Sequence, residues 1–235
     1  MEKTKVSLSW SGGKDSAFAL WKLLNDDRFD VVELHTTFGE QTRRVGMHGI
    51  HEDLVEAQAS AIDLPLQKIY YPASGDNRAY ERAMGEYLTR VERDGVRHIA
   101  YGDILLEDLK KYREERLAER RFVGVFPLWE KNTKILAEEF IRSGFKTIIC
   151  AADADKISRQ WVGEDYSLEF LKHLSEDVDP CGENGEFHSF CYDGPIFSSP
   201  LNIIAREVVK ESYDIVQENG EKGKKDYWFA ELVKE

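Results

Sequence analysis

The sequence contains few cysteines and no long apolar run, and each absence excludes a class of protein. Its three cysteines, Cys150, Cys181 and Cys191, form no C-x-x-C pair, and they are too few for the disulfide scaffold of a small secreted domain. The longest apolar candidate, residues 148 to 152, is far shorter than the ~18 residues of a membrane span. Serines and glycines interrupt the apolar stretch near the N-terminus, unlike a signal peptide. We therefore expect a cytoplasmic protein with no membrane partner.

The chain also lacks an excess of basic over acidic residues. The chain carries 44 acidic and 32 basic residues, a formal net charge of −12, whereas a nucleic-acid-binding surface needs clustered lysines and arginines. The dense basic stretch of residues 110 to 121 is interleaved with Glu114, Glu115 and Glu119. Acidic and basic residues fall there at helical spacing, which predicts a solvated helix face with (i, i+4) ion pairs. The composition thus disfavours both nucleic acid and anionic membranes as partners.

Strand-like and helix-like segments alternate along the first half of the chain. Short β-branched and apolar runs predict strands at residues 5–10, 30–37, 66–71, 96–101 and 122–126. Amphipathic patterns predict a helix with Ala17, Leu20, Trp21 and Leu24 on one face, and further helices at residues 51–64, 77–94 and 104–121. This alternation implies an α/β fold, with a doubly wound parallel sheet covered by helices on both faces. We assign residues 1–125 to that domain.

The pattern weakens after residue 125 and predicts a smaller α+β domain in residues 126–235. Helices are expected at residues 133–143 and 167–174, and strands at residues 146–152, 187–192, 203–216 and 227–233. A loop at residues 176–185 contains a proline and two glycines, and residues 219–223 predict the turn of a terminal hairpin.

The strongest chemical signal lies between the first strand and the first helix, where the chain reads Ser11-Gly12-Gly13-Lys14-Asp15-Ser16. The glycines let the backbone approach a charged ligand, and the N–H groups that begin a helix favour an anion. Lys14 adds positive charge, and Asp15 adds a carboxylate for Mg²⁺. The spacing matches neither a Walker A loop nor G-x-G-x-x-G. The alternative is a turn that binds nothing, which the position at the first βα connection disfavours.

This motif resembles the PP-loop of the ATP pyrophosphatases, which split ATP into AMP and pyrophosphate. Three further stretches resemble the diphthine–ammonia ligase family: Gly46-Met47-His48-Gly49-Ile50; Tyr101-Gly102-Asp103-Ile104 with Arg113, Glu115 and Pro127-Leu128-Trp129; and Gly182-Glu183-Asn184-Gly185-Glu186-Phe187-His188-Ser189-Phe190 with Asp193-Gly194-Pro195-Ile196-Phe197. They follow the family's order and cover most of the chain. The resemblance implies a Rossmann-like nucleotide-binding domain in residues 1–125 and a substrate-side domain in residues 126–235, over the ATP cleft.

The resemblance also implies an activity and a set of site residues. Members of this family adenylate a carboxylate with ATP and Mg²⁺, release pyrophosphate, and displace AMP with ammonia. The implied acceptor is a modified elongation factor 2 if the source is archaeal or eukaryotic. The ATP-binding residues carried over are Ser9, Ser11, Gly12, Gly13, Lys14, Asp15, Ser16, Thr36 and Gly102. The implied catalytic residues are Lys14, Asp15 and Asp103, with Mg²⁺ on Asp15, and the substrate-side residues are His48, Arg113, Glu183, Glu186 and His188.

Several alternatives stay open at this stage. Another PP-loop chemistry, such as tRNA thiolation or lysidine formation, shares only the first loop, and the acidic composition counts against it. A nucleotide-binding protein without catalytic activity is the third hypothesis. Cys181, His188 and Cys191 do not have zinc-ligand spacing, and some family members carry another residue at His188, which argues against an indispensable catalytic role. The acceptor and the oligomeric state, including a homodimer, are left open.

Overall fold

In the computed structural model, which describes residues 2–72, 77–216 and 222–235, the first half of the chain forms a five-stranded parallel sheet. Its strands are β1 (Thr4–Ser9), β2 (Phe29–Gly39), β3 (Leu66–Tyr71), β4 (His98–Ala100) and β5 (Val123–Val125). They lie in the order β3-β2-β1-β4-β5. β1 therefore has β2 on one side and β4 on the other, and the winding of the chain reverses there. Ligands of open α/β sheets bind at such a reversal, beyond the carboxyl ends of the strands.

Helices cover both faces of this sheet, namely α1 (Lys14–Leu24), α2 (Glu52–Ile62), α3 (Asn77–Arg93) and α4 (Glu107–Ala118). Side chains alternate across a strand, so Leu8 packs in the same apolar cluster as α1 and α2. The neighbouring Ser7 points to the other face, where its hydroxyl bonds that of Tyr87 on α3. A second apolar cluster joins α3 and α4 to β4. The predicted doubly wound α/β fold is confirmed.

The second half of the chain forms a four-stranded antiparallel sheet in the order β7-β6-β9-β8. Its strands are β6 (Lys146–Asp153), β7 (Phe187–Asp193), β8 (Ile203–Val216) and β9 (Lys222–Lys234), and its helices are α5 (Thr133–Arg142) and α6 (Leu168–Lys172). A single turn of 3₁₀ helix, Arg159–Trp161, precedes α6. The predicted smaller α+β unit is therefore present, and its last strand begins five residues earlier than expected because β9 pairs with the whole of β8.

Aromatic contacts join the two halves of the molecule. The Phe18 ring on α1 lies edge-on to Phe140 on α5 and to Phe145, with ring centroids 5.5 and 5.9 Å apart. These rings belong to one apolar cluster that contains residues of both sheets. Burial of each large apolar side chain contributes roughly 1.5–3 kcal/mol, so these contacts fix the second sheet against α1. The division into domains at residues 125 and 126 stays a prediction.

The predicted hairpin turn at residues 219–223 falls mostly outside the described residues. Among the described residues, no helix has the length and apolar content needed to cross a membrane.

Candidate active site

The motif Ser11 to Ser16, here called the glycine loop, connects the carboxyl end of β1 to α1. Gly12 has φ of +80°, and a Cβ there would lie 2.7 Å from Gln58 Oε1. A Cβ at Gly13 would lie 3.0 Å from both the Ser189 carbonyl oxygen and His48 Cε1. Only glycine therefore fits at Gly12 without strain, and both positions bring the backbone close to neighbouring segments.

A buried glutamine fixes the shape of the glycine loop. Gln58 Nε2 donates to the carbonyl oxygens of Gly12 (2.9 Å) and Cys191 (2.6 Å), and its Oε1 accepts from Trp10 Nε1 (2.9 Å). The Cys191 N–H donates to the same Gly12 oxygen at 2.8 Å. β7 of the second sheet thus holds the glycine loop, which follows β1 of the first sheet. The amide requires all of these partners because it is fully buried.

Some of the backbone N–H groups around the start of α1 have partners and others are open. The Lys14 N–H donates to Ser189 Oγ at 3.1 Å, and Gly13 N–H donates to Ser11 Oγ at 3.3 Å. Across the described ranges, the N–H groups of Gly12 and Ser16 donate to no protein acceptor. The N-cap residue of α1 is Gly13, which has no side chain to cap the helix. Open N–H groups and the helix dipole together make an anion-binding site.

Lys14 and Asp15 form an ion pair beside these open donors. Lys14 Nζ lies 2.7 and 2.8 Å from the two Asp15 carboxylate oxygens, and the Lys14 side chain is only 5% exposed. Its ammonium faces the rings of Tyr166 and Phe187. Burial alone would lower the pKa of Lys14, but the adjacent Asp15 carboxylate outweighs burial and raises that pKa. Lys14 is therefore a buried positive charge at the glycine loop.

The turn after β4 approaches α1 closely. A Cβ on Gly102 would lie 2.8 Å from the Asp15 carbonyl carbon and 3.0 Å from the Ser16 nitrogen. The next residue, Asp103, accepts two bonds from Arg113 Nη1, at 2.8 and 2.7 Å. Burial raises the pKa of Asp103, and Arg113 opposes this shift. The absence of a side chain at Gly102 thus lets a charged pair lie near the glycine loop.

Glu183 reaches this turn from the second half of the chain. Its Oε2 accepts from the N–H groups of Ile104 (3.1 Å) and Leu105 (2.7 Å). The predicted helix at residues 104–121 begins only at Glu107, because the Ile104 carbonyl oxygen accepts from the Glu130 N–H at 2.8 Å instead of from the next helical turn. Burial raises the pKa of Glu183. Its observed contacts hold the segment that follows Asp103.

Glu186 lies inside the loop of residues 179–186, here called the acidic loop. Its carboxylate accepts from the backbone N–H groups of Asp179 and Asn184 and from Asn184 Nδ2, each at 2.9 Å. Asp179 Oδ1 in turn accepts from the N–H of Cys181 at 2.8 Å. Glu186 is buried, so the donors inside this loop satisfy its carboxylate.

Two histidines lie between the loops. The His48 and His188 ring centroids are 4.6 Å apart, and His48 Nδ1 lies 3.3 Å from the Ser189 carbonyl oxygen. His188 Nε2 is buried and has no hydrogen-bond partner in the described part of the chain. Burial lowers the pKa of His48 to about 4. Burial, together with His48 and Lys14, lowers the pKa of His188, so both imidazoles are neutral near pH 7.

Two of the predicted ATP-binding residues lie in neighbouring strands of the parallel sheet. Ser9 ends β1. Thr36 lies in β2, and its buried hydroxyl donates to the Trp10 carbonyl oxygen at 2.5 Å. The structure therefore assembles the glycine loop, Gly102, Asp103 and the histidine pair, while Thr36 supports the β1 end from the side.

The cysteines form no metal site. Cys181 Sγ donates to the Thr133 carbonyl oxygen (3.3 Å), and Cys191 Sγ to that of Asp193 (3.5 Å). In the three described ranges, no three His, Cys, Asp or Glu side chains form a cluster that could hold a metal ion.

Sequence patterns did not point to two of the residues that shape the site. Gln58 lies in an alanine-rich helix with no local chemical signal. Ser189 is part of a quoted motif stretch, but only the fold shows that its hydroxyl accepts the Lys14 N–H. Both act through contacts between segments that are distant in sequence.

Two protein-family models match the chain. The model described as the diphthamide synthase N-terminal domain matches residues 4–125, and that described as the diphthamide synthase C-terminal domain matches residues 132–221. A diphthine–ammonia ligase of Rattus norvegicus is 29% identical over 89% of this chain and 86% of its own length. The Homo sapiens ligase is 26% identical with the same coverage. That of Schizosaccharomyces pombe is 27% identical over 86% of this chain and 36% of its own length.

Proposed function

Because the chain belongs to the diphthamide synthase family, we propose that it is an ATP-dependent ligase that adenylates a carboxylate and amidates it with ammonia. One observation carries this proposal. The glycine loop leaves N–H donors open at the start of α1, with the buried charge of Lys14 beside them. This arrangement suits the triphosphate of a nucleotide.

The two outer phosphates occupy the glycine loop in this proposal. The N–H groups of Gly12 and Ser16 donate to phosphate oxygens, and Lys14 turns from Asp15 to the added negative charge. The His188 ring lies against that of His48, which borders Gly13, and the His188 Nε2 without a partner in the described residues would, when it carries the proton, donate to a phosphate. Pyrophosphate is then bound as the leaving group, while the α-phosphate lies toward Gly102 and Asp103.

The chemistry proceeds in two displacements. A carboxylate oxygen of the acceptor attacks the α-phosphorus, a new O–P bond forms, and the bond to the bridging oxygen breaks with its electron pair on pyrophosphate. Ammonia then attacks the acyl carbon, the C–O bond to AMP breaks, and the nitrogen releases a proton. The protein supplies position and charge rather than a nucleophile. Arg113, held by Asp103, would stabilise the charge that develops on the α-phosphate.

The residues at the glycine loop fit a magnesium ion carried by the nucleotide. Mg²⁺ commonly binds one or two carboxylates together with phosphate oxygens. Asp15 has a partly exposed carboxylate (37%) beside the open donors, and Asp103 follows the adjacent strand. Asp15 would hold the ion, with Asp103 as a second ligand, and the ion would neutralise phosphate charge.

The acceptor and setting are extensions of this proposal. The relatives are named for diphthine and ammonia, so we propose diphthine on elongation factor 2 as the acceptor if the source is archaeal or eukaryotic. We propose a cytoplasmic setting, because the three cysteines are too few for a disulfide scaffold. A homodimer stays a prediction.

The test is the nucleotide product. With Mg²⁺, ATP, ammonium and elongation factor 2 carrying diphthine, the protein should form AMP and pyrophosphate only when both acceptor and ammonium are present. Lys14→Met should reduce the rate by at least roughly 100-fold. The control Lys134→Met changes an exposed lysine on α5 and should be silent. Formation of ADP, or ATP binding without turnover, would contradict the proposal.

A further inference from the structure

A groove of about 770 Å³ opens between α3 and α4. Five of its lining residues are arginines, namely Arg78, Arg82, Arg113, Arg116 and Arg120. Such a concentration of positive charge stands out in a chain with a net charge of −12. Three of these arginines come from residues 110 to 121, which the sequence predicted to be a solvated helix face. That face is exposed and carries the ion pairs Lys110–Glu114 and Arg116–Glu119, and its arginines also line the groove.

Within residues 2–72, 77–216 and 222–235, most of this charge has no acidic partner. Arg78 and Arg82 are exposed, and within the described part of the chain neither forms an ion pair or hydrogen bond. Arg120 donates only to neutral acceptors, the Gly85 carbonyl and the Thr89 hydroxyl, both at 3.1 Å. Arg116 pairs with Glu119 at 2.9 Å. The groove therefore presents positive charge that is available to an anionic ligand.

Tyrosines complete the groove and connect it with the candidate active site. Tyr80 and Tyr112 are each 38% exposed, and both line the groove. Tyr101 lies beneath Arg113, with the guanidinium 4.1 Å from the ring centroid. Arg113 in turn holds Asp103. One end of the groove thus meets the turn at which we place the α-phosphate.

This combination favours a protein partner. Tyrosine and arginine are enriched at the energetic centres of protein–protein interfaces, and the open groove exposes both. The five arginines outnumber Glu81 and Glu119 among the lining residues, so the groove is positively charged overall. Together with the exposed tyrosines, this charge points to a negatively charged polypeptide.

We propose that the groove binds an acidic polypeptide segment of the protein acceptor. This segment would lie next to the acceptor residue whose carboxylate attacks the α-phosphate near Asp103. This inference rests on the proposed function, because it takes the acceptor to be a protein. Arg78 and Arg82 would pair with acidic side chains of the segment, and the tyrosines would pack on its backbone. The groove then governs acceptor affinity, while the glycine loop governs nucleotide affinity.

A fluorescein-labelled hexaglutamate peptide is the probe, with binding followed by fluorescence anisotropy at low and at physiological salt. The double variant Arg78→Glu and Arg82→Glu should bind the peptide at least tenfold more weakly than the wild type. The matched control is Arg93→Glu, which reverses an exposed charge on the same helix outside the groove. Binding by the wild type should also weaken as salt increases.

ATP affinity separates this inference from the proposed function. Lys14→Met should lose ATP binding and keep peptide binding, and the double variant should do the reverse. If the wild type binds ATP but the double variant and Arg93→Glu bind the peptide equally, the groove assignment is wrong and the ligase proposal stands. A six-nucleotide RNA that binds the groove more tightly than hexaglutamate would also overturn it. Absence of ATP binding by the wild type would overturn the ligase proposal and the acceptor role with it.

Discussion

Two loops meet at the candidate active site, and they differ in how they are held. Contacts from outside hold the glycine loop, chiefly through Gln58 and the Cys191 N–H, and donors at its helix start stay open. The acidic loop has an internal support in addition to its outside contacts, because Glu186 accepts three bonds from residues of that loop. The first arrangement suits ligand binding. The second suits the positioning of neighbouring groups.

Substitution of Gly102 should have the largest effect on activity. It tests whether the close approach of the Gly102 backbone to α1 is needed for the geometry of the glycine loop. In Gly102→Ala the new Cβ would meet the backbone of Asp15 at 2.8 Å, and backbone atoms cannot move aside as a flexible side chain does. We expect α1 to shift and ATP turnover to fall by roughly 100-fold, since small misplacements of reacting groups have such effects. Pyrophosphate release measures this.

The control for Gly102→Ala is a glycine at the opposite edge of the sheet. Gly95 follows α3 with φ of +81° and open space around it. Gly95→Ala should lose about 1 kcal/mol of unfolding free energy through backbone strain and keep its turnover. Equal turnover in both variants would show that the approach of Gly102 to α1 is irrelevant to the site.

The acidic loop should respond mainly in stability. Glu186→Ala leaves three buried donors without their acceptor, and we expect a loss of about 2–4 kcal/mol in unfolding free energy by denaturant titration. ATP affinity should change less than the rate of the acceptor step, because the predicted substrate-side residues Glu183 and His188 flank the disturbed segment. The exposed Glu176 of the preceding loop provides the control Glu176→Ala. A Glu186→Ala variant as stable as this control would contradict the internal role.

The same contrast explains what the sequence could predict. The parallel sheet and the glycine loop follow from local signals: alternating strand and helix patterns, and glycines at the start of a helix. The role of Gln58 does not, because its acceptor at Cys191 is 133 residues away. The helix start predicted at residue 104 was wrong for a similar reason, since the Ile104 carbonyl oxygen accepts from the distant Glu130 N–H. Substrate-side roles for Glu183 and Glu186 stay predictions, because contacts with protein donors account for their observed hydrogen bonds.

The histidines between the loops predict a loss of stability in acid. Burial lowers the pKa of His48 to about 4, whereas an unfolded histidine titrates near 6.5. The unfolded chain therefore binds more protons between these values, and the unfolding free energy should fall as the pH drops from about 6.5 to about 4. The difference between these two pKa values corresponds to up to about 3 kcal/mol of this decrease. The variant His48→Gln should remove that part of the pH dependence of the unfolding free energy, measured by denaturant titration at each pH. The control variant His173→Gln, at an exposed histidine, should retain it.

The smallest effect is expected for Glu183→Gln, and it distinguishes a positioning residue from a catalytic one. Both bonds from Ile104 and Leu105 end on the single oxygen Oε2, which an amide oxygen can replace. Stability should then change by about 0.5 kcal/mol or less, and turnover by less than about threefold, because the geometry after Asp103 is retained. Glu183→Ala removes the acceptor and should reduce turnover by about tenfold or more through displacement of Asp103. If the carboxylate charge itself acted on substrate or metal, Glu183→Gln would be as inactive as Glu183→Ala, and the acidic loop would join the glycine loop as a ligand-binding element.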